Sequence, residues 1–198
     1  MELRVDPSAK ALIFDLDGTL VDSMPLHYEV WSEICREKLD FHFTEELFYA
    51  FAGFSANKIF NEIKMITGKE FDHDELADQK ENRFESKIHE LTVVQPVVDI
   101  AIAYHNKLPK AIGTGSPTEG SWKSVRAMGL DKYFEILVSK EDVLNPKPAP
   151  DTFLRCAELM GVDPKDCQVF EDGDPGLEAA RTAGMIATDI RPFVKARG

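Results

Sequence analysis

Short apolar runs that stop at polar residues punctuate this chain. Lys10-Ala11-Leu12-Ile13-Phe14 is one such run, and it ends abruptly at Asp15. Continuous apolar stretches of this length, bounded by turn residues, predict buried strands. Strands are predicted at 11–15, 111–114, 135–139, 168–171 and 185–189. Between them lie stretches with helical spacing near 97–107, 119–128, 150–160 and 175–183. Gly129, Gly161 and Gly184 directly follow three of these, where helix C-caps are expected. Strand and helix in alternation predict a Rossmann-like α/β fold, a doubly wound parallel sheet of five core strands.

Residues 24–90 break that alternation. Ser23 is placed to cap a helix in which Leu26, Val30, Ile34 and Cys35 recur at helical spacing, with Pro25 tolerated in its first turn. Ser55 opens a second, with Ile59, Phe60, Ile63 and Ile66 on one face, and a highly charged third runs from about His73 to Glu90. The expected organisation is an α/β core built from 1–22 and 92–198, with an inserted small helical cap at 23–91.

Composition narrows the partners. With 23 Lys and Arg against 35 Asp and Glu, the net charge of −12 argues against nucleic acid or an anionic membrane, both of which want a basic face. The three cysteines, Cys35, Cys156 and Cys167, are widely spaced and form no CxxC. They are expected to be small core residues in a reducing compartment. No apolar run reaches membrane-spanning length and no leader-like segment opens the chain, so a cytoplasmic protein is expected, and a capped single core of this size is expected to act as a monomer.

Four stretches carry chemistry. Asp15-Leu16-Asp17-Gly18-Thr19 presents two carboxylates at a strand end, a repulsive pair unless a cation is held between them. In Gly113-Thr114-Gly115-Ser116 the Thr114 hydroxyl and the N–H groups of Gly115 and Ser116 suit phosphate oxygens, although taken alone the stretch reads better as an ordinary strand-to-helix turn. In Asn145-Pro146-Lys147-Pro148-Ala149-Pro150 the prolines fix where Lys147 points, toward carboxylates or toward solvent. Glu171-Asp172-Gly173-Asp174 offers hard oxygen ligands suited to Mg²⁺, with Asp174 reading as the N-cap before Pro175. All four fall at predicted carboxyl ends of strands, where open α/β sheets bind ligands.

In this order and spacing the motifs resemble the haloacid dehalogenase superfamily over essentially the whole chain. The insertion after the first motif is similar to a C1-type cap. KPAPDTF with FEDGDPGLEAARTAG is similar to β-phosphoglucomutase-like members, fructose-1-phosphate phosphatases especially. The resemblance implies Asp15 as nucleophile, Asp17 as general acid/base, Thr114 on phosphate and Lys147 as charge balance. It also implies a Mg²⁺ site from Asp15, the Asp17 carbonyl, Glu171 and Asp172, and substrate or phosphate contacts from Gly18, Thr19, His27, Lys58, Gly115 and Ser116. Thr19 either hydrogen-bonds Asp17 or caps the turn.

True dehalogenases of the superfamily lack the second Asp, so Asp17 points to phosphoryl chemistry. β-Phosphoglucomutases usually carry a Lys just before the cap Gly and an Arg three residues after it. Ala52 and Ala56 stand there, around Gly53-Phe54-Ser55. His27 matches a family histidine tied to mutase chemistry, and related phosphatases retain it too. The resemblance therefore implies Mg²⁺-dependent hydrolysis of small sugar phosphates through an aspartyl phosphate, with a hexose-phosphate mutase as the alternative. Phe54, Lys58 and Asn57 are candidates for choosing the sugar.

Overall fold

A computed structural model describes residues 2–51 and 56–194. Two compact units emerge, one from Met1–Asp22 with Leu91–Gly198 and one from Ser23–Glu90. The first holds five strands, β1 (Ala11–Phe14), β2 (Lys110–Gly113), β3 (Ile136–Val138), β4 (Cys167–Glu171) and β5 (Ile186–Asp189). They form one parallel sheet in the order β3-β2-β1-β4-β5. β2 and β3 are added on one side of β1, and β4 and β5 on the other, and the point where strand order switches is where such sheets open a ligand crevice.

β1 is central and buried on both faces, hence its unbroken apolar sequence. Ala11 and Ile13 join Ala111, Val169, Phe153 and Cys156 on one side. Phe14 faces the other way, stacked on Phe170 at 5.0 Å and edge-on to Phe134 at 5.6 Å. Parallel pairing sets Phe14 opposite both Ile112 and Phe170, so the residues that follow these strands emerge side by side. The crossover helices of this unit are Gln95–Ala103, Thr118–Ala127, Asp151–Met160 and Asp174–Thr182, the third of which packs on β2 and β3.

The second unit is all-helical, with α1 (Met24–Leu39), α2 (Glu45–Ala50), α3 (Ala56–Thr67) and α4 (His73–Ser86). The crossover helices are therefore α5 to α8 in chain order. In the helical unit Trp31 stacks on Phe43 and meets Phe60 at a tilt. Cys35, Cys156 and Cys167 are free and buried, as their apolar surroundings dictate. No helix among the described residues is long and apolar enough to cross a membrane.

Several local expectations need correction. Ser23 occupies the N-cap position of α1 in helical dihedrals and makes no side-chain cap. Ile66 is exposed, because the buried face of α3 ends with Ile59, Phe60 and Ile63. Asp174 is the first residue of α8 and Gly173 the N-cap, one position earlier than Pro175 suggested. The charged third helix stops at Ser86, and a 3-10 turn covers Ile88–Glu90. Ser55 lies outside the described residues, as do Ala52, Gly53 and Phe54.

The fully buried Phe14 tests the packing of the sheet. Phe14→Ala should lower the free energy of unfolding by about 3–5 kcal/mol in urea titrations. A loss under about 1 kcal/mol would mean that the site has collapsed around the gap or was never tightly packed.

Candidate active site

The carboxyl ends of β1 and β4 lie level. Since Phe14 pairs with Phe170, Asp15 follows beside Glu171, and the Asp15 N–H donates to the Phe170 carbonyl at 3.0 Å. Both acids are buried, at 6% and 4% exposure. The Lys147 ammonium enters between them, donating to Asp15 Oδ1 at 2.7 Å and Glu171 Oε2 at 2.8 Å. The proline-rich loop thus turns Lys147 inward, with its charge 4.5 Å from the Phe153 ring centre. Glu171 Oε1 accepts the Gly173 N–H at 2.9 Å, which fixes its remaining oxygen.

Two glycines make room for these carboxylates. A β-carbon on Gly176, in the first turn of α8, would fall on Glu171 Oε2. Gly18 turns the chain after Asp17 with φ +90°, and a β-carbon there would overlap Asp172 Oδ2. Asp172 is held in this cradle by the Thr19 hydroxyl, which donates to Oδ1 at 2.9 Å. Thr19 therefore serves Asp172 and not Asp17.

β1 ends at Phe14, so Asp15 and Asp17 stand beyond the strand and take different partners. The Ser116 hydroxyl donates to Asp17 Oδ2 at 2.6 Å. The Ser116 N–H is engaged as well, donating to Thr114 Oγ1 at 3.0 Å, so it is not open to phosphate as expected. Thr114 is buried at the end of β2, its own N–H on the Val138 carbonyl, and its hydroxyl hydrogen remains available. Gly115 is exposed beside it.

Electrostatics show what the cluster lacks. Burial, then the charge of Glu171, pushes the Asp15 carboxyl up to about 7 against the pull of Lys147. Burial likewise raises Glu171. Burial alone would lower Lys147, but the two carboxylates outweigh it and hold the ammonium above its ordinary range. One lysine does not balance Asp15, Glu171 and Asp172, whose oxygens lie within 4.8 Å of one another. This hard, over-charged oxygen set fits a divalent cation such as Mg²⁺.

His27 and Lys58 belong to the helical unit. His27 stacks on Phe84 at 4.0 Å, and its Nδ1 lies 3.2 Å from Lys80 Nζ. An ammonium only donates, so Nδ1 accepts and the imidazole proton sits on Nε2. Lys58 is an exposed residue of α3. Lys80, 5% exposed and paired with Glu81 at 3.1 Å, escaped the sequence reading. Its signal was its position, since Leu76, Lys80 and Phe84 form one i, i+4, i+8 stripe within a charged helix. The Ser116–Asp17 bond was missed too, because no local pattern links residues 99 apart.

The haloacid dehalogenase-like hydrolase family model matches residues 12–189. The chain belongs to this family. It is 37% identical over 180 residues to the fructose-1-phosphate phosphatase YqaB of Escherichia coli, covering 91% of this chain and 95% of that protein. It is 28% identical to the β-phosphoglucomutase of Bacillus subtilis, with 91% and 83% covered. Among solved structures, a family IA, variant 3 haloacid dehalogenase hydrolase from Entamoeba histolytica superposes with a TM-score of 0.81 at 25% identity, over 92% of this chain and 84% of that one. This family member is a phosphatase-type hydrolase with a five-stranded parallel core.

The raised pKa values of the buried carboxyls predict how stability responds to pH. A carboxyl whose folded pKa exceeds its unfolded value stabilises fully below the unfolded pKa, and that contribution is lost as pH rises through the folded one. For Asp15 the window runs from its ordinary 3.8 up to about 7. Lys147, raised in turn, keeps its contribution until the pH passes the ordinary lysine range. Metal-free protein should thus lose stability between about pH 5.5 and about pH 8, and Mg²⁺ should raise the melting temperature more at the higher pH. An equal Mg²⁺ shift at both pH values, or none, would contradict this.

Proposed function

We propose that this chain is a Mg²⁺-dependent phosphatase of small sugar phosphates, fructose 1-phosphate among them, that works through an aspartyl phosphate on Asp15. The observation that carries the proposal is the buried Asp15 carboxylate, locked by Lys147 beside Glu171 with Asp172 alongside. The sugar-phosphate class is supported by the likeness to the fructose-1-phosphate phosphatase and to a phosphorylated carbohydrates phosphatase of Thermotoga maritima, 28% identical over 89% of this chain.

Phosphoryl transfer needs an in-line nucleophile, a protonated leaving oxygen and positive charge around the equatorial oxygens. In our reading an Asp15 oxygen attacks phosphorus, the bond to the sugar oxygen breaks, and Asp17 gives that oxygen its proton. A water then attacks the aspartyl phosphate and loses a proton to Asp17, which frees inorganic phosphate and restores both acids. Ser116 orients the Asp17 carboxyl between these transfers. The Thr114 hydroxyl and the Gly115 N–H donate to the phosphate oxygens. Lys147 holds Asp15 in place and offsets the approach of anion to anion. Asp15, Asp172, Glu171 and the Asp17 carbonyl would hold Mg²⁺, which when bound supplies the positive charge that Lys147 alone does not.

The α/β unit, 1–22 with 92–198, performs the chemistry. The helical segment 23–91 acts as the cap that selects the sugar, with Lys58, Asn57 and His27, the last backed by Lys80, as contacts. We place the enzyme in the cytoplasm as a monomer, in keeping with its free thiols and acidic charge. Hydrolysis is favoured over mutation of the phosphate position by Ala56. It begins α3 where β-phosphoglucomutases usually carry an Arg.

Incubation of the protein with Mg²⁺ and a panel of hexose phosphates should release inorganic phosphate, without isomer formation from β-glucose 1-phosphate. Asp15→Asn should cut that release by about 10³-fold or more while the circular dichroism spectrum is unchanged. Wild-type turnover in this variant would remove Asp15 as nucleophile, and isomer without phosphate would make the enzyme a mutase.

A further inference from the structure

A cavity of about 450 Å³ lies at the amino ends of β2 and β3, the opposite end of the sheet from Asp15. This volume falls in the range of small-molecule sites. Lys107, Lys110 and Lys132 line it, and among the described residues none of the three has a carboxylate partner. In a chain with 35 acidic against 23 basic residues that is unexpected, and Lys10, Lys87, Lys123 and Lys165 all find acids.

These three cations are held in place by other means. Lys110 opens the buried strand β2, is 9% exposed, and donates only to the Tyr104 carbonyl at 3.3 Å. Burial lowers its pKa, which an added anion would reverse. Lys107 and Lys132 lie against the rings of Tyr104 and Tyr133, at 5.9 and 5.1 Å. The rest of the lining is mixed, with His105, Asn106 and Glu135 beside an apolar portion of Leu108, Pro109, Ile136, Leu159 and Met160. Ile136, Leu159 and Met160 lie near Tyr133, whose ring meets His105 edge-on at 5.2 Å.

We propose that this cavity is a second ligand site, for a nucleoside monophosphate whose phosphate sits among Lys107, Lys110 and Lys132. Its base lies on the wall formed by Tyr133, Ile136 and Met160. Inorganic phosphate alone would leave the apolar wall and most of the volume uncovered. A sugar phosphate would set hydroxyls against that wall. A flat base covers it and leaves the ribose hydroxyls for Glu135, the one carboxylate lining the cavity. The site is separate from the proposed catalytic one. β2 joins them, with Lys110 at one end and Thr114 just past the other, about 13 Å apart at the rise of an extended strand.

Calorimetric titration of the full chain with AMP, without added metal, tests this. Saturable binding is expected, retained in Asp15→Asn and weakened about tenfold or more in the double variant Lys107→Ala/Lys132→Ala. Both lysines are exposed, so that variant should keep the wild-type melting temperature and its turnover of p-nitrophenyl phosphate. Adenosine and inorganic phosphate should each bind about tenfold or more weakly than AMP. The proposal is overturned by no AMP binding at about millimolar concentration, or by binding that the double variant leaves unchanged. Binding lost in Asp15→Asn would also overturn it, since AMP would then occupy the catalytic site. Phosphate or adenosine binding as tightly as AMP would contradict the nucleotide assignment.

Discussion

Carboxylates gathered out of water at the ends of two parallel strands set the terms for the rest of this structure. Asp15 and Glu171 are nearly inaccessible and adjacent, an arrangement that costs desolvation twice and repulsion besides. Lys147 offsets part of that cost through two short hydrogen bonds. The remaining excess is one that a divalent cation could offset, with Asp172, in its glycine cradle, offering a further oxygen. A site so under-compensated in charge is one that a bound cation would fit.

The fold supplies this arrangement through register. The pairing of Phe14 with Phe170 brings Asp15 beside Glu171, and the pairing of β1 with β2 brings the segment after Gly113 toward Asp17. The aromatic stack of Phe14 on Phe170 lies directly beneath the two acids, so the packing that stabilises the sheet also fixes their separation. Small residues matter where carboxylates need space. At Gly18 and Gly176 any side chain would occupy the volume that Asp172 and Glu171 use.

Much of this was legible in the sequence because the decisive signals are local. Apolar runs that end at Asp15, Thr114 and Glu171 mark strands and the residues just past them, and the proline-flanked Lys147 marks a constrained cation. What the sequence hid is long-range pairing. Thr19 lies two residues from Asp17, yet its hydroxyl serves Asp172, 153 residues away, because β1 lies against β4. Ser116 and Asp17 meet only through the β1–β2 pairing. The six-residue α2 was too short to show a periodic face, although Thr44 caps it. Lys80 was lost in a helix whose polar composition masks a buried stripe.

The central claim is that the phosphoryl group is bonded for part of the cycle to Asp15. Acid quenching of the wild-type enzyme during turnover, followed by trypsin digestion and mass spectrometry, addresses it directly. Cleavage after Lys10 and Arg36 places Asp15 in the peptide 11–36. That peptide should gain the mass of one phosphoryl group, with fragmentation assigning it to Asp15. A phosphoryl group found on another residue, or on none while phosphate is still released, would contradict the account.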